Sequence, residues 1–179
     1  MLDSRVIAEA EAAIAALDPS GPRDVVAADL AKIADWHRQA VEMAHQVEAG
    51  ALALGRPGSL NDRIDAVRRD ANRIADGFAR GAVAFDRARR VVLAGAWPTR
   101  ELIEVVRSHG DFADWLFHQL SALVQRAEEV TTHARAYYDR AFARVHADPG
   151  WTATVAEAFD ADGNPRGARL ADLPTDLDG

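Results

Sequence analysis

The chain of 179 residues has the length of one domain, and its 49% apolar content is dominated by Ala with only seven prolines and twelve glycines, which favours helix over sheet. It contains no cysteine, which excludes disulfides, thiolate metal sites and cysteine nucleophiles. The net charge of −7 is uneven: residues 148–179 hold seven acids against Arg166 and Arg169, a balance of −5, leaving −2 on the first 147 residues, so global electrostatics point to neither nucleic acid nor an anionic membrane.

In chain order, Met1-Leu2-Asp3-Ser4-Arg5 lacks the basic stretch and apolar run of a secretory signal. No later window approaches the roughly eighteen apolar residues of a membrane span. A cytoplasmic setting and no membrane partner are expected. Lys32 is the sole lysine among 21 basic residues, a bias that a GC-rich genome produces together with the abundance of Ala.

A first helix carries Ile7, Ala10, Ile14 and Leu17 on one side and ends at Asp18-Pro19-Ser20-Gly21-Pro22. This helix is expected to cap a bundle or reach a neighbouring chain. A second helix ends at Gly55-Arg56-Pro57-Gly58, and Ser59-Leu60-Asn61-Asp62 has the spacing of a capping box that opens a third. Gly95-Ala96-Trp97-Pro98-Thr99 breaks the third helix, with Thr99 as the next N-cap. Ser108-His109-Gly110-Asp111 reads as a further stop and restart, after which no breaker occurs until Asp148-Pro149-Gly150.

Small and apolar residues alternate steps of four and three along three of these helices. The second has Val26, Leu30, Ile33, His37, Ala40, Ala44, Val47, Ala51 and Leu54. The third has Leu60, Ile64, Val67, Ala71, Ile74, Phe78, Gly81, Phe85, Ala88 and Val92. The last has Leu116, Leu120, Leu123, Ala127, Val130, Ala134, Tyr137 and Ala141. A period of 3.5 keeps one stripe of each helix against a partner. The fold expected is therefore all-α: an elongated helical bundle over residues 1–159 with coiled-coil-like hairpin packing, then an irregular, acidic, flexible or partner-bound tail over 160–179. Ile74, Phe78 and Phe85, with Phe112, Trp115, Leu116 and Leu120, are the expected large core residues, and Trp151 and Phe159 are expected to dock on the bundle.

Candidate chemistry is sparse. Glu42 and His45 form one Glu-x-x-His, the spacing of a di-iron helical bundle, but such a site needs a second copy; Asp114 with His118 and Glu129 with His133 stand at four-residue spacing, so an exposed helix-face pair is the expectation and no metal or other cofactor is assigned. His37 lies on an apolar stripe, where a polar group sets helix register. Asp160-Ala161-Asp162-Gly163-Asn164 opens like a calcium loop, but Pro165 replaces its glycine and Ala171 its glutamate, so a turn is expected. Eight arginines lie on the third helix, and Arg69, Arg73, Arg80 and Arg87 recur on one side, where they could bind phosphates; five aspartates on the same helix offer ion pairs instead.

Two resemblances follow from particular segments. Arg140-Ala141-Phe142-Ala143-Arg144-Val145-His146 resembles the Arg-x(4–6)-His element of the HEPN ribonucleases, which implies Arg140 and His146 acting on an RNA phosphodiester across a helical dimer. Residues 135–163, from Arg-Ala-Tyr-Tyr-Asp-Arg-Ala-Phe through Asp-Pro-Gly-Trp-Thr to Phe-Asp-Ala-Asp-Gly, resemble the closing helix and turn of small helical proteins encoded by tailed phages of GC-rich bacteria. That implies a phage or mobile-element origin, with a virion as the alternative location. The function expected is a non-enzymatic structural or adaptor protein assembling through its helical seams, with further copies of itself or another protein as partner; the alternative is a nucleic-acid-binding or HEPN-like RNA-cleaving bundle.

Overall fold

A computed structural model of the chain describes residues 4–97, 99–147 and 150. Four α-helices follow one another: α1 (Ser4–Ala15), α2 (Arg23–Ala53), α3 (Asn61–Val91) and α4 (Arg100–Ala147), with no strand among the described residues. At about 1.5 Å per residue, α2 and α3 each run roughly 46 Å and α4 roughly 72 Å, so the fold is the all-α, elongated bundle the seams imply. No helix among the described residues is long and apolar enough to cross a membrane.

Helices α2 and α3, α3 and α4, and α1 and α4 pack antiparallel, while α2 and α4 run parallel where they touch. His37 of α2 lies against Gly81 of α3, Arg38 pairs with Asp86, and Asn72 donates to Glu48 at 2.8 Å, so rising numbers on α2 meet falling numbers on α3. In the same way Phe85, Gly77 and Asp70 of α3 meet His109, Leu116 and Arg126 of α4. The first helix returns along α4, with Leu17 over Gly110 and Glu11 3.6 Å from His118, and it buries Ile7, Ala10 and Ile14. It therefore caps the bundle of its own chain.

The 4-3 stripes are the buried stripes. On α2 every seam residue from Val26 to Ala51 is buried, and on α3 the seam is buried from Ile64 onward and continues into Val92. The seam of α4 is buried at Leu116, Leu120, Leu123, Val130 and Ala134. The largest side chains, Phe78, Phe85 and Phe117, meet around His37. Burying a side chain of this size removes enough apolar surface to be worth about 1.5–3 kcal/mol, so the centre of the stack, rather than its Ala-lined ends, holds the helices together.

Three local expectations are overturned. The capping box at Ser59 is not formed: Gly58–Leu60 is a 310 turn, and α3 starts after Leu60 without a side-chain cap. The stop at Gly110 is absent, and α4 runs through it without a break. Gly110 is buried beneath Leu17, so tertiary cover on that face outweighs the roughly 1 kcal/mol helix penalty of one glycine. Phe112 and Trp115 stand outside the core, stacked on each other with centroids 5.7 Å apart. Phe117, off the 4-3 seam, is buried in their place.

The α3–α4 connection is as read. Val92–Ala96 forms a π turn that ends in Gly95 at φ +91°, a conformation open to glycine. The Thr99 hydroxyl accepts from the Leu102 amide at 3.3 Å and caps α4. Trp97 Nε1–H donates to the Gly21 carbonyl at 3.3 Å, fastening this turn to the α1–α2 loop. At the other end the Tyr138 hydroxyl donates to the Leu54 carbonyl at 2.7 Å, so α4 has by then reached the α2–α3 turn. The tail expected over 160–179, the boundary at 159, the calcium-loop turn, and the docking of Trp151 and Phe159 all lie outside the described residues.

Candidate functional site

The residues singled out by sequence fall into three environments. His37 is fully buried; its Nδ1 lies 2.9 Å from the Ile33 carbonyl, which can only accept, so the proton sits on Nδ1 and Nε2 carries a bare lone pair. Nε2 has no hydrogen-bond partner. Three aromatic rings, Phe78, Phe85 and Phe117, surround it at 5.0–5.6 Å. Burial pushes the imidazole pKa down to about 4, with the Ile33 hydrogen bond opposing it only in part. His37 is thus a neutral core residue whose ring occupies the space left by Gly81, where a Cβ would come within 2.4 Å of Cδ2, and this notch sets the α2–α3 register.

The acid–histidine pairs form no cluster. Glu42 and His45 are both exposed. His118 lies 3.8 Å from Asp114 and 3.6 Å from Glu11, and His133 Nδ1 meets the Glu129 carbonyl of its own helix at 2.7 Å. Among the described residues no group of three His, Cys, Asp or Glu side chains could hold a metal ion. Arg140 is exposed on α4, whereas the side chain of His146 lies outside what the structure describes, so the two are not placed relative to each other.

The arginine row is split by its partners. Arg69, Arg73, Arg80 and Arg87 are all exposed. Arg73 pairs with Asp70 at 3.2 Å, and the same carboxylate takes Arg126 of α4 at 2.8 Å. Further along, Arg80 and Arg87 make no ion pair with any described residue. They edge a groove of about 490 Å³ between α3 and the start of α4. Its apolar lining includes Val83 on α3 and Leu102 and Val105 on α4, with His109 at its inner end against Phe85.

The groove opens onto exposed apolar surface. Val83 is 65% exposed, Val105 44%, Phe112 46% and Trp115 53%. Val105 and Phe112 are seven residues apart and so share one face of α4, which extends the apolar strip two turns beyond Val105 and past the groove's end at His109. Large contiguous exposed apolar surface rimmed by charge is the ordinary mark of an interaction site. Sequence reasoning found the arginines but missed the groove. The usable signal was Val83 lying off the seam between Arg80 and Arg87. A second groove of about 630 Å³ lies between α2 and α4; Val47, Leu54, Val67, Val124 and Val130 line it beside Gln46, Glu128 and Arg135, but none of these apolar side chains is exposed.

Compared with known proteins, the chain matches no family model, no curated protein and no solved structure.

Proposed function

We propose that the protein is a non-enzymatic assembly or adaptor protein, and that the α3–α4 groove with its aromatic extension is the surface through which it engages a protein partner. The observation that carries this reading is the exposed strip of Val83, Val105, Phe112 and Trp115 beside two arginines that have no described ion-pair partner. Apolar anchors at helical spacing beside a groove are what a partner segment needs for burial, and flanking guanidinium groups give it orientation. The resemblance of residues 135–163 to small helical phage proteins adds a phage or mobile-element origin to this reading. Light scattering across a concentration series is the test: mass that rises with concentration supports the reading, and a compact monomer under all conditions counts against it.

A nucleic-acid reading is favoured by one observation, the exposure of Arg69, Arg73, Arg80 and Arg87 along α3. It requires salt-dependent retention on DNA or RNA that falls when these arginines are replaced. Its ribonuclease form further requires RNA cleavage that disappears on substituting Arg140 and His146.

A further inference from the structure

The groove is apolar along its floor and cationic along its α3 edge, so its occupant must offer apolar side chains next to carboxylates. This chain contains such a segment. Residues 170–178 read Leu-Ala-Asp-Leu-Pro-Thr-Asp-Leu-Asp, with Leu170, Leu173 and Leu177 at steps of three and four, Asp172, Asp176 and Asp178 between and beside them, and no basic residue. Asp172 and Asp176 are four residues apart, while Arg80 and Arg87 are two helical turns apart, about 10 Å along α3.

Chain extension favours a second copy as the supplier of the segment. The groove lies at the start of α4, and the chain leaves α4 at Ala147, about 57 Å further along the helix from His109. Between Ala147 and Leu170 there are 23 steps of chain, which span at most about 80 Å when fully stretched, so a segment returning to its own groove would have to run back along the bundle at roughly 70% of full extension. A second molecule placed head to tail has no such requirement. We propose that residues 170–178 of one copy dock in the α3–α4 groove of another, with the leucines on Val83, Leu102 and Val105 and with Asp172 and Asp176 paired to Arg80 and Arg87. Such a contact is heterologous: each copy offers one groove and one segment, so the contact propagates into a ring or filament rather than closing a two-fold dimer. This inference rests on the assembly reading and specifies its partner as the chain itself.

The test uses the full-length chain and two charge reversals read by sedimentation and light scattering at low salt. R80E/R87E and D172R/D176R are each expected to weaken self-association by at least about tenfold. The quadruple variant R80E/R87E/D172R/D176R is expected to regain it, because the swapped charges are again complementary. All four of these charges are surface or segment positions, and unchanged circular dichroism and thermal midpoints separate lost docking from lost folding. If the wild-type chain associates and both double variants associate equally well, the groove–segment contact is overturned while the assembly reading stands on another surface. A wild-type chain that stays monomeric at every concentration overturns both. A groove variant that loses retention of an RNA oligonucleotide, with no self-association in the wild type, assigns the arginines to nucleic acid and overturns the inference.

Discussion

His37 illustrates how one buried polar atom constrains a helical core. In the unfolded chain its imidazole takes up a proton near pH 6.5, but in the folded protein it does so only near pH 4. Its effect on stability is therefore absent above pH 6.5, and stability drains away as the pH falls from 6.5 toward 4, because the unfolded state binds the proton first. A shift of about 2.5 units corresponds to roughly 3 kcal/mol at the bottom of that window. Urea midpoints measured at pH 7 and pH 4.5 should show this loss, and His37→Leu should remove most of the His37 part of the pH dependence. The neighbouring glycine gives a second expectation. Gly81→Ala drives a Cβ to 2.4 Å from the His37 ring and should destabilise by about 1–3 kcal/mol, although Ala is the better helix former. Gly50→Ala on α2 meets nothing within 4 Å and should stabilise by up to about 1 kcal/mol, a contrast that denaturant titration of the two variants checks directly.

Helix α4 is where local signals and packing disagree. His109-Gly110-Asp111 has the composition of a helix stop, and an isolated peptide of that sequence would have reason to end there. In the folded chain Leu17, just past the end of α1, lies over Gly110, and Phe85 of α3 packs on the adjacent His109, so both neighbours need the helix to continue. The same cover widens the buried arc of α4: Gly110 and Phe117 are buried as well as Val106, Ala113, Leu116 and Leu120 along the 4-3 line, because more than one helix packs on this stretch. Phe112 stands two residues, about 200° around the helix, from Gly110, which Leu17 covers, and so faces away from that contact. Gly110→Ala should therefore stabilise α4 by about 0.5–1 kcal/mol, its new methyl group in ordinary contact with Leu17. Gly95→Ala forces a side chain into φ +91° and should cost about 1–3 kcal/mol. Thermal melts of the pair distinguish a helix that passes through Gly110 from one that stops there.

The assembled molecule leaves a surface that no single helix predicts. Phe112→Ser/Trp115→Ser removes two exposed rings and should change unfolding stability by less than about 1 kcal/mol while lowering any concentration-dependent mass. A loss of several kcal/mol would instead place these rings in the fold's own core. Helix faces and the loops at 18–22, 55–58 and 95–99 were legible in the residues, because a stripe repeating every 3.5 positions and a Pro/Gly break are local properties of the chain. A stripe states that a face will be covered, not by what. The arrangement of α1 on α4, the continuity through Gly110, the exchange of Phe117 for Phe112 in the core and the groove beside Arg80 and Arg87 all depend on which neighbour arrives on which side, and that is decided only when four helices compete to bury the same apolar surface.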